Sequence, residues 1–500
     1  MDLLSQIGAG LAVALRPENL GVCFLGVLVG TLIGVLPGIG PVGAMSLLFP
    51  ITFKASPEAA VILLAGIYYG AMYGGSTTSI LVNIPGEAAS VVTCLDGHPL
   101  ARQGRAGPAL GIAALGSFIG GMASLAGLVL LAPPLAQFAL QFGPVDYFSL
   151  MVLGLSVLVY LAQGSMARAL LMAALGVVLG LVGLDSISAR PRLTFDRLEL
   201  VDGLGLVPIV MGLFGVGEVL FNLERSLQRD LAPVRVRGLW PSARDWAESR
   251  GPIARGSLLG FLLGLLPGGG AVIASFLAYA VEKRLSRHPE RFGRGALAGV
   301  AAPESANNAA TGGAFVPLMT LGVPPNVVMA LLLGALMVHG VQPGPLLMSQ
   351  NPGLFWGVVA SMAIGNLMLL ALNLPLIGLW VQVLRVPYPV LFPLILLLCL
   401  VGAYSVGHTV FDIHVMIVFG VLGYLARKLD YEPAPLVLAF VLGPMLENNL
   451  RKALILSQGS FTPFVTRPIS AVCLGLALLV LASPLLAGLR RRPPPAEAGP

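Results

Sequence analysis

The sequence predicts an all-α polytopic membrane protein of two structurally related halves. They form an inverted internal repeat with broken, re-entrant helices and about 10–14 membrane segments. Three observations predict it. The chain is 56% hydrophobic and only 10% charged, too little charge to cover the surface of a soluble protein of 500 residues. Apolar runs long enough to cross a bilayer recur, as at Leu110–Leu131, Phe355–Leu384 and Ile469–Leu489. A proline–glycine interruption inside such a run occurs twice, as LPGIG and LPGGG, where an uninterrupted helix would be expected.

Residues 1–19 lack a basic leader and a convincing cleavage site and read as an interfacial segment. Residues 20–223 form the first half, 224–255 a basic linker, 256–489 the second half, and 490–500 an Arg/Pro-rich tail. The net charge of +6 is carried by loops, which reads as topology and not as nucleic-acid binding. Cys23, Cys94, Cys399 and Cys473 are scattered, with neither metal-ligand spacing nor a disulfide framework.

The repeat is explicit. Gly26, Gly30, Gly34, Pro37, Gly38, Gly40 and Ala44 match Gly256, Gly260, Gly264, Pro267, Gly268, Gly270 and Ala274 at a constant offset of 230. Ser46 matches Ser275 after a one-residue slip. A weaker pair follows: Tyr68–Ala88 resembles Ser305–Val327, with Gly74-Gly75 facing Gly312-Gly313 and Pro85 facing Pro324. Packing alone accounts for the Gly-xxx-Gly flanks, but it does not require the proline and glycines between them. Charge tests the second copy. The stretches 224–255 and 282–294 are both Arg-rich, so both belong on the cytoplasmic side. Only Gly256–Val281 separates them, and two arms of about 11 residues, roughly 16 Å each, reach half a bilayer and return. A re-entrant hairpin is expected there, and by repeat over Gly26–Phe49.

Interrupted helices at corresponding places in two halves point to a transporter's binding site. Half-helix N-termini offer N–H donors to an anion, and unwound carbonyls suit a cation. The candidate substrate-binding residues are Pro37, Gly38, Gly40, Pro267, Gly268, Gly270, Asn83, Asn307 and Asn308. The candidate cation ligands are Ser76, Thr77, Thr78, Ser305 and Thr311; interhelical hydrogen bonding is the alternative for each hydroxyl. Alanine at 38 or 268 is expected to abolish uptake with the protein still in the membrane. The notable ionisable residues near apolar runs are Glu87, Asp96, Glu304, His408, Asp412, His414 and Glu447. Asp96 in DGHPLARQGRAG reads as a solvated loop, Glu447 as a helix end, and Asp412 beside His408 and His414 as a proton relay or an interfacial pair. The G-x-G-x-x-G at Gly38–Gly43 lacks a strand–turn–helix context, and there is no Walker A lysine and no catalytic or metal constellation, so an enzyme is not expected.

GVLPGIGPVGAMSLLFPITF, YYGAMYGGSTTSILVNIPGEAASVVTCLDGHPLARQGRAG, APESANNAATGGAFVPLMTLGVP and LLLGALMVHGVQPGPLL closely resemble the TctA family, the large membrane subunit of tripartite tricarboxylate transporters. The resemblance covers nearly the whole chain. It implies a multi-pass permease of the bacterial inner membrane that imports tricarboxylates or related organic carboxylates. The implied coupling ion is Na⁺ or H⁺, with no other cofactor. The implied partners are a small TctB-like membrane subunit and a periplasmic TctC-like solute-binding protein. A passive carboxylate channel and a membrane scaffold subunit are the alternatives. One departure stands out: relatives usually read Leu-Gly-Ile-Pro-Gly where this chain has Leu321-Gly322-Val323-Pro324-Pro325, which removes one backbone N–H from that turn.

Overall fold

A computed structural model describes residues 3–36, 40–162, 165–224, 236, 238–268, 270–384, 386 and 388–490. The first half contains α1 (Leu3–Ala14), α2 (Pro17–Val35), α3 (Gly40–Thr52), α4 (Pro57–Val82), α5 (Val91–Leu100) and the long α6 (Ala106–Ala139), then α7 (Pro144–Leu161) and α8 (Met166–Gly180). A small antiparallel pair follows, β1 (Gly183–Leu184) with β2 (Pro191–Arg192), Gly183 opposite Arg192. α9 (Leu206–Val210) and α10 (Gly217–Glu224) are joined by a π turn at Met211–Val216. The second half opens with α11 (Ala243–Gly264), α12 (Gly270–Leu285), α13 (Ala298–Gly313), α14 (Phe315–Leu321) and α15 (Val327–Val338). It continues with α16 (Leu347–Gln350), α17 (Pro352–Asn373), α18 (Ile377–Val383), α19 (Tyr388–Gly407), α20 (Val410–Lys428), α21 (Ala434–Leu456), α22 (Thr462–Thr466) and α23 (Pro468–Arg490).

Among the described residues eight helices are long and apolar enough to cross a membrane, so the protein is a multi-pass all-α membrane protein. Five shorter apolar helices, α3, α8 and α15 among them, account for the larger number of segments expected from hydropathy: the interruptions cut apolar runs into pieces too short to span.

The same packing occurs on both sides of the chain's midpoint. A Cβ on Gly26, Gly30 or Gly34 would lie 2.5, 2.5 and 2.3 Å from the carbonyl oxygens of Leu63, Ile67 and Ala71. One on Gly256, Gly260 or Gly264 would lie 2.4, 2.1 and 2.4 Å from those of Ala302, Ala306 and Ala310. So α2 lies backbone-to-backbone on α4, and α11 on α13, which is what a small-xxx-small face permits. Both partner helices are central: α4 is buried from Ala59 to Leu81 and α13 from Gly299 to Gly313.

Helix ends follow local chemistry. Ser56 caps α4 by accepting from the Ala59 N–H, with Pro57 at the first helical position. Ser242 and Asp245 form a reciprocal capping box that starts α11 at Ala243, inside the stretch read as linker. The boundary drawn at residue 19 likewise falls within α2. α1 lies against α17, where Gly10 meets the Trp356 backbone. The base of the α11–α12 pair is closed by ion pairs. Arg255 grips Glu282 through Nε–Oε1 at 2.5 Å and Nη2–Oε2 at 2.8 Å, and Arg291 lies 3.7 Å from Glu248. The beginning of α11 and the end of α12 are therefore side by side.

Two sequence expectations are corrected here. Asp96 is not in a solvated loop: it is on α5, 0% exposed. Its carboxylate accepts from the N–H groups of Gly293, Gly295 and Ala296 at 2.8–2.9 Å and from the Tyr279 hydroxyl at 2.9 Å. Glu447 is not a helix end but lies within α21, bonded to Arg192 at 2.9 and 3.0 Å. Asp412 bonds within its own helix end. It packs into the cap of α20, where its Oδ2 accepts from Thr409 Oγ1 at 2.9 Å and its N–H donates back to that hydroxyl at 3.3 Å.

Candidate functional site

The chain segments that interrupt the helices meet. A cavity of about 520 Å³ is lined by Gly40 and Pro41 at the start of α3, Gly268 and Gly270 at the α11–α12 turn, Pro85–Ala88 after α4, and Pro325–Val328 before α15. Its remaining wall includes Tyr68 and Met72 of α4, Leu158 of α7, and Glu218 and Arg427. Arg427 Nη2 and Glu218 Oε2 form an ion pair of 2.5 Å on that wall.

Each turn is held by its neighbour. Gly268 has φ +76°, the left-handed region that favours glycine. A Cβ there would lie 2.8 Å from the Leu158 Cα, so the turn is seated on the backbone of α7. The Gly268 N–H donates to the Pro325 carbonyl at 2.9 Å. Pro325 therefore makes its backbone contact through its oxygen, and the N–H it lacks is not needed there. In the first half Gly86 stands on the end of α2: a Cβ at Gly86 would lie 1.9 Å from the Gly34 oxygen. Thr78 donates to the Val35 carbonyl at 2.8 Å, satisfying one of the orphan acceptors at that helix end.

Three helices of 13, 16 and 12 residues, α3, α12 and α15, begin at the cavity. The positive ends of their dipoles meet at a common space, the arrangement that favours an anion, with the Met329 N–H of α15 already capped by Asn326. Gly40 and Gly270 have nothing within 4 Å of a built Cβ, so a ligand has free approach to the main chain there. Glu87 adds a carboxyl group to the same wall. It is 8% exposed, its carboxylate accepts from the Ala89 N–H at 2.5 Å, and its Oε1 is buried without a partner.

The other candidates lie elsewhere. Pro37 and Gly38 lie outside the described residues. Gly40, Gly268 and Gly270 line the cavity; Pro267 adjoins it, its ring 3.4 Å from a Cβ built on Gly154 of α7. Asn83 does not line it. It is the exposed C-cap of α4 with φ 57°, a conformation asparagine tolerates better than most residues. Asn307 and Asn308 are buried within α13: Asn307 Nδ2 donates to the Glu304 carboxylate at 3.3 Å and Asn308 Nδ2 to the Glu304 main-chain carbonyl at 3.2 Å. Ser305 and Thr311 donate to carbonyls one turn back, at 2.9 and 2.8 Å, the local bonding common for hydroxyls in helices. Ser76 donates to Glu304, and Thr77 lines a separate small cavity.

Sequence reasoning passed over Asn326. It caps α15, its Oδ1 accepting from the Met329 N–H at 3.0 Å, and its Nδ2 donates to the Tyr68 hydroxyl at 3.3 Å. An asparagine between a proline pair and an apolar run is an N-cap signal, so it was readable as a helix start facing the same turn.

The sequence matches the tripartite tricarboxylate transporter TctA family over residues 20–438. It is 51% identical over 492 residues to an uncharacterized 52.8 kDa protein in the TAR-I ttuC' 3' region of Agrobacterium vitis, covering 98% of each chain. It is 54% identical over 233 residues to an uncharacterized protein in the TAR-II ttuC' 3' region of the same organism, covering 47% of this chain and 96% of that one. No solved structure matches it significantly.

Proposed function

The chain belongs to the tripartite tricarboxylate transporter TctA family, and from that premise and the cavity we propose that it is the large permease subunit of a binding-protein-dependent secondary transporter. Its substrate is a tricarboxylate or related organic carboxylate, carried inward across a bacterial inner membrane together with a cation, Na⁺ in the first instance. It works with a small TctB-like membrane subunit and a periplasmic TctC-like binding protein.

One observation carries this reading: the N-termini of α3, α12 and α15 converge, with exposed backbone at Gly40 and Gly270, on a single cavity. Its volume of about 520 Å³ lies in the range of small-molecule sites. Carboxylates dock on the helix ends. Glu87 at the same wall makes a lone anion unfavourable and calls for a companion cation or proton. The turns belong to two re-entrant hairpins related as an inverted repeat, and the Arg255–Glu282 clasp, with both ends of the α11–α12 pair together, supports that topology.

The function is tested by uptake of labelled citrate into proteoliposomes holding both membrane subunits, with binding protein added outside. Accumulation above equilibrium that requires an inward sodium gradient is expected. Flux that only equilibrates makes the protein a facilitator, and no flux refutes transport. The topology is tested by Arg250→Cys and Glu290→Cys in a cysteine-free background. Both should label from the same face, and labelling from opposite faces refutes the hairpin.

A further inference from the structure

Glu304 is 0% exposed at the centre of a membrane protein. Its carboxylate takes hydrogen bonds from the Ser76 and Thr93 hydroxyls and from Asn307 Nδ2 at 3.3 Å, with the Ser117 hydroxyl 3.5 Å from Oε2. Four helices, α4, α5, α6 and α13, thus aim polar side chains at one carboxyl. Among the described residues no lysine, arginine or histidine pairs with it. A buried carboxylate with donors but no countercharge is costly in the bilayer interior, and such a group ordinarily marks an ion or proton site.

Beside it is a second cavity, apart from the central one, of about 10 Å³, whose polar lining is Tyr73, Ser76, Thr77, Ser117 and Asn373, with Leu110, Ala113 and Ala114 as its apolar wall. That is room for one water-sized body. Two of its lining hydroxyls, Ser76 and Ser117, are those that reach Glu304 Oε2. The Asn373 amide has its nitrogen committed to the Leu369 carbonyl at 2.9 Å. Its Oδ1 is buried with no partner in a side chain only 5% exposed. The amide cannot turn over without losing that bond, so the oxygen is the atom this cavity-lining residue has left to offer. Hydroxyls that donate to Glu304 keep their lone pairs for something else. The set is therefore oxygen-only, with one negative charge close behind it, and hard oxygen donors suit a hard cation.

We infer that this small cavity is a binding site for one dehydrated monovalent cation of sodium size. Its ligands are the hydroxyls of Ser76, Thr77 and Ser117 and the Asn373 amide oxygen, with Glu304 supplying the charge. The site stands on the buried charge and the oriented oxygen. It rests on the proposed function only for its link to transport, where it is the seat of the companion cation.

The test is thermal unfolding of the full-length protein in nanodiscs, with NaCl varied from 0.1 to 100 times an apparent midpoint and ionic strength held constant with choline chloride. Saturating a site that only the folded protein has should raise the melting temperature by about 2–3 °C for a chain of this length. KCl should do less. Glu304→Gln should abolish the sodium response, and Asn373→Leu should shift its midpoint at least tenfold; the second keeps the test alive if the first fails to fold. A melting temperature indifferent to sodium, or a sodium response that survives in both variants, overturns the site. A response to pH alone does so as well, because it means a proton or a plain water occupies the place. Melting with citrate is recorded in parallel: a sodium response without any citrate response or citrate uptake sinks the transport reading and leaves the ion site standing.

Discussion

Alanine substitution along the two turns separates backbone that holds the fold from backbone offered to a ligand. At Gly268 two costs add. An alanine at φ +76° costs about 1–2 kcal/mol. Its Cβ would also lie 2.8 Å from the Leu158 Cα and 3.1 Å from the Leu158 nitrogen, main-chain atoms that cannot swing aside, for about 1–3 kcal/mol more. Gly40 and Gly270 pay only the first: φ is +65° and +36°, and nothing lies within 4 Å of the new carbon. At about 2.1 cal/mol/K per residue, each kcal/mol moves the melting temperature of so long a chain by about 1 °C. Gly268→Ala should therefore melt about 2–5 °C lower, and Gly40→Ala and Gly270→Ala about 1–2 °C lower. Citrate binding, read as a ligand-induced melting shift, should behave in the reverse order. The methyl groups at 40 and 270 enter the space the ligand uses, and overpacking by about 1–3 kcal/mol weakens binding about 5- to 150-fold. Gly268→Ala is thus expected to lower stability as well as uptake, since that residue seats the turn on α7. Wild-type affinity in both Gly40→Ala and Gly270→Ala would show that the ligand does not touch these backbones. Wild-type stability in Gly268→Ala would show that the close seat on α7 is wrong.

Three further outcomes are expected. Asp96→Ala strands the N–H donors of Gly293, Gly295 and Ala296, the last two buried, and the Tyr279 hydroxyl, a loss of about 3–5 kcal/mol. It should appear as a lower melting temperature and faster amide exchange at 293–296, and Asp96→Asn should be milder. Backbone N–H groups of Ser188 and Ile187, with Arg451 and Arg192, hold the Asp185 carboxyl well below the usual carboxylate range. A lowered folded-state value means stability fully present above the unfolded carboxylate value near about 3.9 and lost as pH falls below it. Asp185→Asn should therefore be less stable than wild type at neutral pH and show a flatter acid limb in melting temperature against pH. Where Glu87 is ionised, Glu87→Gln removes a negative charge from the cavity wall. Two unit charges about 10 Å apart repel by about 1.7 kcal/mol at an effective dielectric of about 20, so citrate should bind about 15-fold tighter. Unchanged or weaker binding would mean that Glu87 is neutral there or bonds the ligand itself.

What could be read in the sequence and what could not divide along one physical line. Gly34, Pro37, Gly264 and Pro267 are visible because breaking a helix and packing backbone on backbone are local demands, met by few residue types. The positions where α2 and α11 stop, and the stripes that face α4 and α13, follow from those letters alone. Polar roles are decided by partners remote in the chain. Asp96 sits among glycine, proline and arginine, yet its bonding partners lie about 200 residues on, and nothing beside it in sequence announces burial. Asn83 precedes Pro85 and Gly86 and suggests a ligand's role, but its backbone forms the left-handed cap of α4, a place that favours asparagine for its conformation. Asn307 and Asn308 sit among the right residue types, but α13 points them at Glu304 and not at the turns. The amide that does face the cavity, Asn326, is marked only by its place before an apolar helix. The glycines and prolines line the large cavity at the helix ends, and Ser76, Thr77, Ser117 and Asn373 line the small one beside Glu304.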